Sequence, residues 1–123
     1  MHTTPDPTEV LAAMNAARVA GDYETALSYV SPTSLDQGSP FTHAQWRERW
    51  EAMRRSAPDL EIVVEQALLD GPWVAHRYSL RGTHSGDFLG QPPTGRRFEL
   101  NGMDMVRIEA GLLVEHWAFI DAL

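Results

Sequence analysis

The sequence predicts an α+β fold: helices first, then a curved antiparallel sheet with the helices packed on one face and room for a cavity between the two layers. Three observations carry this. The apolar period is helical up to about Pro58 and close to two beyond it. The second half is punctuated by short turn signals that pair strands into hairpins. And 123 residues, 43% hydrophobic and 22% charged, suit one soluble domain, residues 1–123, with its own core.

Taken in order, "DPTEVLAAMNAARVAGD" (6–22) reads as a helix. Asp6 caps it, Pro7 fits the first turn, Glu9 completes a capping box and Gly21 offers the stop. "DYETALSYV" (22–30) reads as a second, short helix, and "SPTSLDQGSP" (31–40) as a loop on composition. "THAQWRERWEAMRRSA" (42–57) is a third helix, with Thr42 and Gln45 at capping-box spacing and Trp46, Trp50 and Met53 on one face. Pro58 ends it. "DLEIVVEQALLD" and "WVAHRYSLRGTH" form two strands around the turn "DGP". "RRFELNGMDMVRIE" and "LLVEHWAFID" form two more around "AGL".

Composition narrows the function. A net charge of −7 argues against nucleic acid and against an anionic membrane surface as partners. The absence of cysteine removes thiol catalysis and cysteine-held zinc. No apolar run approaches a membrane span, and "MHTTPDPTEV" lacks the basic-then-apolar pattern of a signal peptide, so a cytoplasmic location is expected. No phosphate-binding glycine motif and no Gly-x-Ser-x-Gly elbow is present.

The residue that stands out is Asp104, an acid in the strand-like run "GMDMVRI". It shares strand parity with Leu100, Gly102, Val106 and Ile108. If that face looks inward, burial raises its pKa and suits it to proton transfer near neutral pH. The ordinary alternative is an acid paired with arginine or facing solvent. His76 shares a face with Val74, Tyr78 and Leu80, as a donor to a developing enolate or as a satisfied core histidine. His84 ends that strand at the mouth of the glycine- and proline-rich segment "SGDFLGQPPTGRR", and Asp121 is a second acid near the C-terminal end. His116 alternates against Glu115 and Trp117 and does not share their face. The histidine spacings match no metal motif, so no metal is expected. Trp46, Trp50, Tyr78, Phe88 and Trp117 are candidates to line a pocket for a flat hydrophobic molecule, although tryptophans at helical spacing are more often core.

Taken together, "GTHSGDFLGQPPTGRR", "GMDMVRIEAGLLVEHW" and the acid at 121 resemble the SnoaL-like polyketide cyclase family. The likeness is close over Gly82–Asp121, and the helical half agrees in layout. It implies a nuclear-transport-factor-2-like cone, a curved sheet wrapped by helices around a pocket, working without metal or organic cofactor. In such cyclases an aspartate removes a proton from carbon beside a carbonyl, and the enolate closes a ring by intramolecular aldol condensation. Carried over, Asp104 is the first candidate for the base, Asp121 the second, with His84 and His76 beside them. Leu112 departs from the family, where Lys or Arg often follows the hairpin glycine, and the C-terminal extension many members carry is not in the sequence. The expected function is therefore an acid/base cyclase, or a related isomerase or hydratase, acting on a hydrophobic polyketide-like carbonyl compound. The alternative is a non-catalytic small-molecule binder or accessory protein using the same pocket. The opposite face of the sheet, with Met103, Met105 and Val114, points to a homodimer or higher homo-oligomer.

Overall fold

The structure, a computed structural model, describes residues 6–87 and 90–121. Its elements are α1 (Pro7–Val19), α2 (Tyr23–Leu27), β1 (Val30–Asp36), β2 (Ser39–Pro40), α3 (His43–Ser56), β3 (Glu61–Asp70), β4 (Trp73–Thr83), β5 (Arg97–Glu109) and β6 (Leu112–Asp121). The caps that the sequence marks at Asp6, Thr42 and Gly21 form. The Asp6 carboxylate accepts from the Thr8 N–H at 2.8 Å, and Thr42 and Gln45 form a reciprocal capping box. Gly21, at φ +82°, takes the left-handed turn that ends α1 just beyond Ala20.

The sheet has six strands in the order β2-β1-β6-β5-β4-β3. The β3–β6 strands form the antiparallel meander that the turns predict. Gly71, at φ +58° ahead of Pro72, closes the first hairpin, and Ala110–Gly111, both at positive φ, close the last.

The segment 31–40 corrects the sequence reading. It is not a loop but two strands, and β1 runs parallel to β6. Its composition hides it because its inward side chains are polar. Ser31, Ser34 and Asp36 are buried, and each of them has a hydrogen-bond partner. Pro32 is tolerated because the register with β6 is interrupted between Val30 and Leu35, where no ladder donor is needed.

A second irregularity places β6. Ile108 pairs with Leu113 but Arg107 with Glu115, so Val114 is an extra residue in a β-bulge. The bulge resets the alternation: Leu113 and His116 face inward, whereas Trp117 and Phe119 face out. The core lies between the inner face of the sheet and the helices. Val10, Leu11 and Met14 of α1 and Trp46 and Trp50 of α3 meet Val74, Val106, Ile108 and Leu113. The helices leave part of that inner face uncovered, and the cavities lie there.

Candidate functional site

A cavity of about 230 Å³ opens between α1, α3 and the inner face of the sheet. Strand pairing puts its polar groups together. His76 on β4 is the direct cross-strand partner of Asp104 on β5, whose other neighbour is Ala118 on β6. The small Ala118 side chain leaves room beside the acid. The Asp104 carboxylate lies 3.7 Å from His76 Nδ1 through Oδ1 and 3.9 Å from His116 Nε2 through Oδ2. These are electrostatic distances, too long for hydrogen bonds. Asp104 Oδ1 is buried and has no hydrogen-bond partner among the described residues. Burial raises the Asp104 pKa, with His76, His116 and Arg18 acting in the opposite direction.

His116 is held from behind. Its Nδ1 sits 2.7 Å from Asp36 Oδ1, and Arg49 Nη2 donates to Asp36 Oδ2 at 2.8 Å. Burial works to raise the Asp36 pKa, but the hydrogen bonds from His116 and Arg49 outweigh it and bring it to about 2. An ionised Asp36 keeps the proton on His116 Nδ1 and turns Nε2 toward Asp104. Trp46 packs edge-on to the His116 ring, centroids 5.4 Å apart, and donates its own N–H to Ser34 Oγ at 2.9 Å.

Tyr78 also lines the cavity, its phenol pushed up to about 12 by burial and then by the Asp104 charge. Its ring lies over Gly102, where a Cβ would come within 2.6 Å of it; only glycine leaves that path open.

A second cavity of about 400 Å³ adjoins the first, sharing Met53, Leu80 and Ile120 with it. His84 lines it. Its Nδ1 is 3.2 Å from Thr94 Oγ1, and its Nε2 is buried with no hydrogen-bond partner among the described residues. The start of the loop is tied to the end of α3, since Ser85 and Gly86 donate their N–H groups to the Ser56 carbonyl.

Of the residues singled out in the sequence, Asp104, His76, Tyr78, Trp46 and Trp50 lie together in the first cavity, and His84 in the second. Trp117 and Asp121 do not join them. The bulge at Val114 turns both to the outer face, where Trp117 donates to Glu115 and Asp121 is exposed opposite Asn101. Phe88 lies outside the described residues. Sequence reasoning missed His116, Asp36, Arg49 and Arg18. Arg18 had a readable signal: with Leu11 and Met14 it continues the inward stripe of α1. Asp36 had none, because its contact depends on the unforeseen parallel pair.

The sequence matches the SnoaL-like polyketide cyclase family over residues 8–123. The chain belongs to that family. It is 39% identical over 54 residues to the aklanonic acid methyl ester cyclase DnrD of Streptomyces peucetius, covering 44% of this chain and 37% of that protein. It is 34% identical over 92 residues to the nogalonic acid methyl ester cyclase of Streptomyces nogalater, covering 72% of this chain and 66% of the relative. The alignments thus span only about a third to two thirds of these relatives. Among solved structures, IdmH of Streptomyces antibioticus, described as a provisional polyketide cyclase, superposes with a TM-score of 0.82 at 32% identity, over 95% of this chain and 93% of that one. The curved sheet and helices are thus the family's architecture.

Proposed function

We propose that the protein is an acid/base enzyme that closes a ring in a polyketide-like carbonyl compound by intramolecular aldol chemistry, with Asp104 as the base. One observation carries the reading: a largely buried carboxylate facing a cavity, flanked by two imidazoles yet beyond hydrogen-bond distance of both, its Oδ1 without a partner among the described residues. Such a group is costly to the fold and available to a ligand.

In the proposed reaction the Asp104 carboxylate takes a proton from carbon next to a carbonyl. The C–H electron pair becomes the enolate, whose carbon attacks a second carbonyl of the same molecule. The C–C bond forms as that carbonyl's π pair moves to oxygen. The alkoxide then takes back the proton from Asp104, directly or relayed through His116 Nε2, which lies 3.9 Å from the same carboxyl, and the carboxylate is regenerated. No atom is gained or lost. Trp46, Trp50 and Tyr78 give the cavity an apolar, aromatic wall that suits a flat substrate. Confinement of both carbonyls in one orientation supplies much of the rate, and the base adds about 10²- to 10⁴-fold.

The test is turnover of aklanonic acid methyl ester and nogalonic acid methyl ester by wild type and Asp104→Asn. Ring closure lost in a folded D104N variant supports the reading. Closure at the wild-type rate removes Asp104 as base. Ligand binding without turnover by wild type makes the chain a binder instead.

The outer face of the sheet exposes Met103, Met105, Trp117 and Phe119, the last 75% accessible. Met103 pairs with Phe119 and Met105 with Trp117 across β5 and β6, and such an exposed apolar cluster supports assembly with a second copy. A sedimentation series showing only monomer at high concentration rejects that assembly.

A further inference from the structure

Two arginines line the first cavity, and they are in different situations. Arg49 is engaged: it pairs with Asp36 at 2.8 Å and lies over the Phe41 and Trp46 rings at 4.3 and 5.2 Å. Arg18 makes no ion pair among the described residues. Its Nε donates to Asn15 Oδ1 at 2.9 Å, its Nη1 reaches only the Met53 sulfur at 3.7 Å, and its guanidinium is 6.0 Å from the centre of the Trp50 ring. Loss of surrounding water brings the Arg18 pKa down to about 10, so the group is still a cation at neutral pH.

A half-buried cation that makes no direct ion pair gains little for the fold. Hydrophobic neighbours such as Leu11, Met14 and Trp50 would accept an apolar residue at this place, so packing does not explain the arginine. The cavity that Arg18 shares with Asp104 does. When Asp104 takes up a proton, the negative charge passes from protein to ligand oxygen, and a fixed cation across the same small cavity stabilises it there.

We propose that Arg18 is the oxyanion-binding residue of this cavity: the ligand presents to it an oxygen that is a carboxylate or becomes an enolate. The proposal deepens the cyclase reading and rests on the same cavity. It is tested by binding rather than turnover, so the two can fail separately.

The experiment compares wild type, Arg18→Met and Arg18→Lys in two arms. In the first, quenching of the cavity tryptophans reports binding of anthraquinone-2-carboxylate and its neutral carboxamide. Wild type is expected to prefer the carboxylate by about 10- to 100-fold, R18M to lose that preference and R18K to keep part of it. In the second, the visible spectrum of bound alizarin reports ionisation of its phenol. Asp104, His76, His116, Tyr78 and Arg49 face the ligand in all three proteins, so the difference between them isolates Arg18. The bound phenol is expected to ionise about one to two pH units lower in wild type than in R18M.

Thermal melting separates this from a structural role. An unpaired charge replaced by methionine leaves the melting temperature at or above wild type. If Arg18 instead holds α1 to Trp50, R18M melts lower and both ligand arms are unchanged, which overturns the proposal. A loss confined to the carboxylate arm assigns Arg18 to a fixed acid group of the ligand, and one confined to the alizarin arm to an ionising enol; either sustains the proposal. Equal binding of acid and amide by wild type, with no alizarin shift, overturns it.

Discussion

His116 stands between two largely enclosed aspartates whose pKa values shift in opposite directions. Asp36, 7% exposed, is driven down to about 2, whereas Asp104, in the cavity wall, is driven up. Burial works in the same direction on both. The difference is hydrogen bonding: Asp36 receives His116 at 2.7 Å and Arg49 at 2.8 Å, whereas Asp104 keeps both histidines at 3.7 Å or more. One acid is committed to the fold, and the other is left available. An acid beside a histidine is thus left free for a ligand or tied into the fold according to about 1 Å of separation.

The largest expected effect comes from removing the available acid. Asp104→Asn is predicted to cost about 10²- to 10⁴-fold in ring closure, measured as single-turnover product formation. The stability change has the opposite sign. The Asp104 pKa is raised on folding, so its charged form costs stability once the pH rises above the unfolded value near 3.8, and D104N removes that cost. Denaturant unfolding at neutral pH should show D104N at least as stable as wild type, whereas a clear loss would break the comparison.

Asp36→Asn tests the other side. A folded pKa of about 2 against an ordinary 3.8 contributes stability that is present above pH 4 and lost as the pH falls toward 2. Removing the acid should therefore cost about 2 kcal/mol at neutral pH, read from the same unfolding curves, with the difference shrinking below pH 3. The third effect is smaller. Gly102→Ala places a methyl against the Tyr78 ring and should cost about 1–2 kcal/mol while displacing a residue of the cavity wall. Unfolding curves give the cost, and quenching by a bound aromatic ligand reports the altered cavity.

How much of this was legible in sequence follows the same division. The caps at Asp6 and Thr42, the hairpin turns and the alternation around Asp104 are local signals; they put His76 and Tyr78 on one face of β4 and Asp104 on the face of Leu100 and Val106, and the tertiary structure shows that this face looks inward. Asp36 was not legible: β1 is written largely in serine, proline, threonine and aspartate, and the partners of Asp36 come from α3 and β6. Nor was the orientation of β6. One extra residue at Val114 exchanges the faces, which brings His116 in and sends Trp117 and Asp121 out. Alternation is reliable along a strand only until a bulge interrupts it.

The central claim is that the two aspartates hold opposite protonation preferences, and NMR titration of the side-chain carboxyl carbons of Asp36 and Asp104 tests it directly. The account predicts that Asp36 stays ionised down to about pH 2 while Asp104 remains protonated above the usual carboxylate range. Two carboxyls titrating together near pH 4 would contradict it.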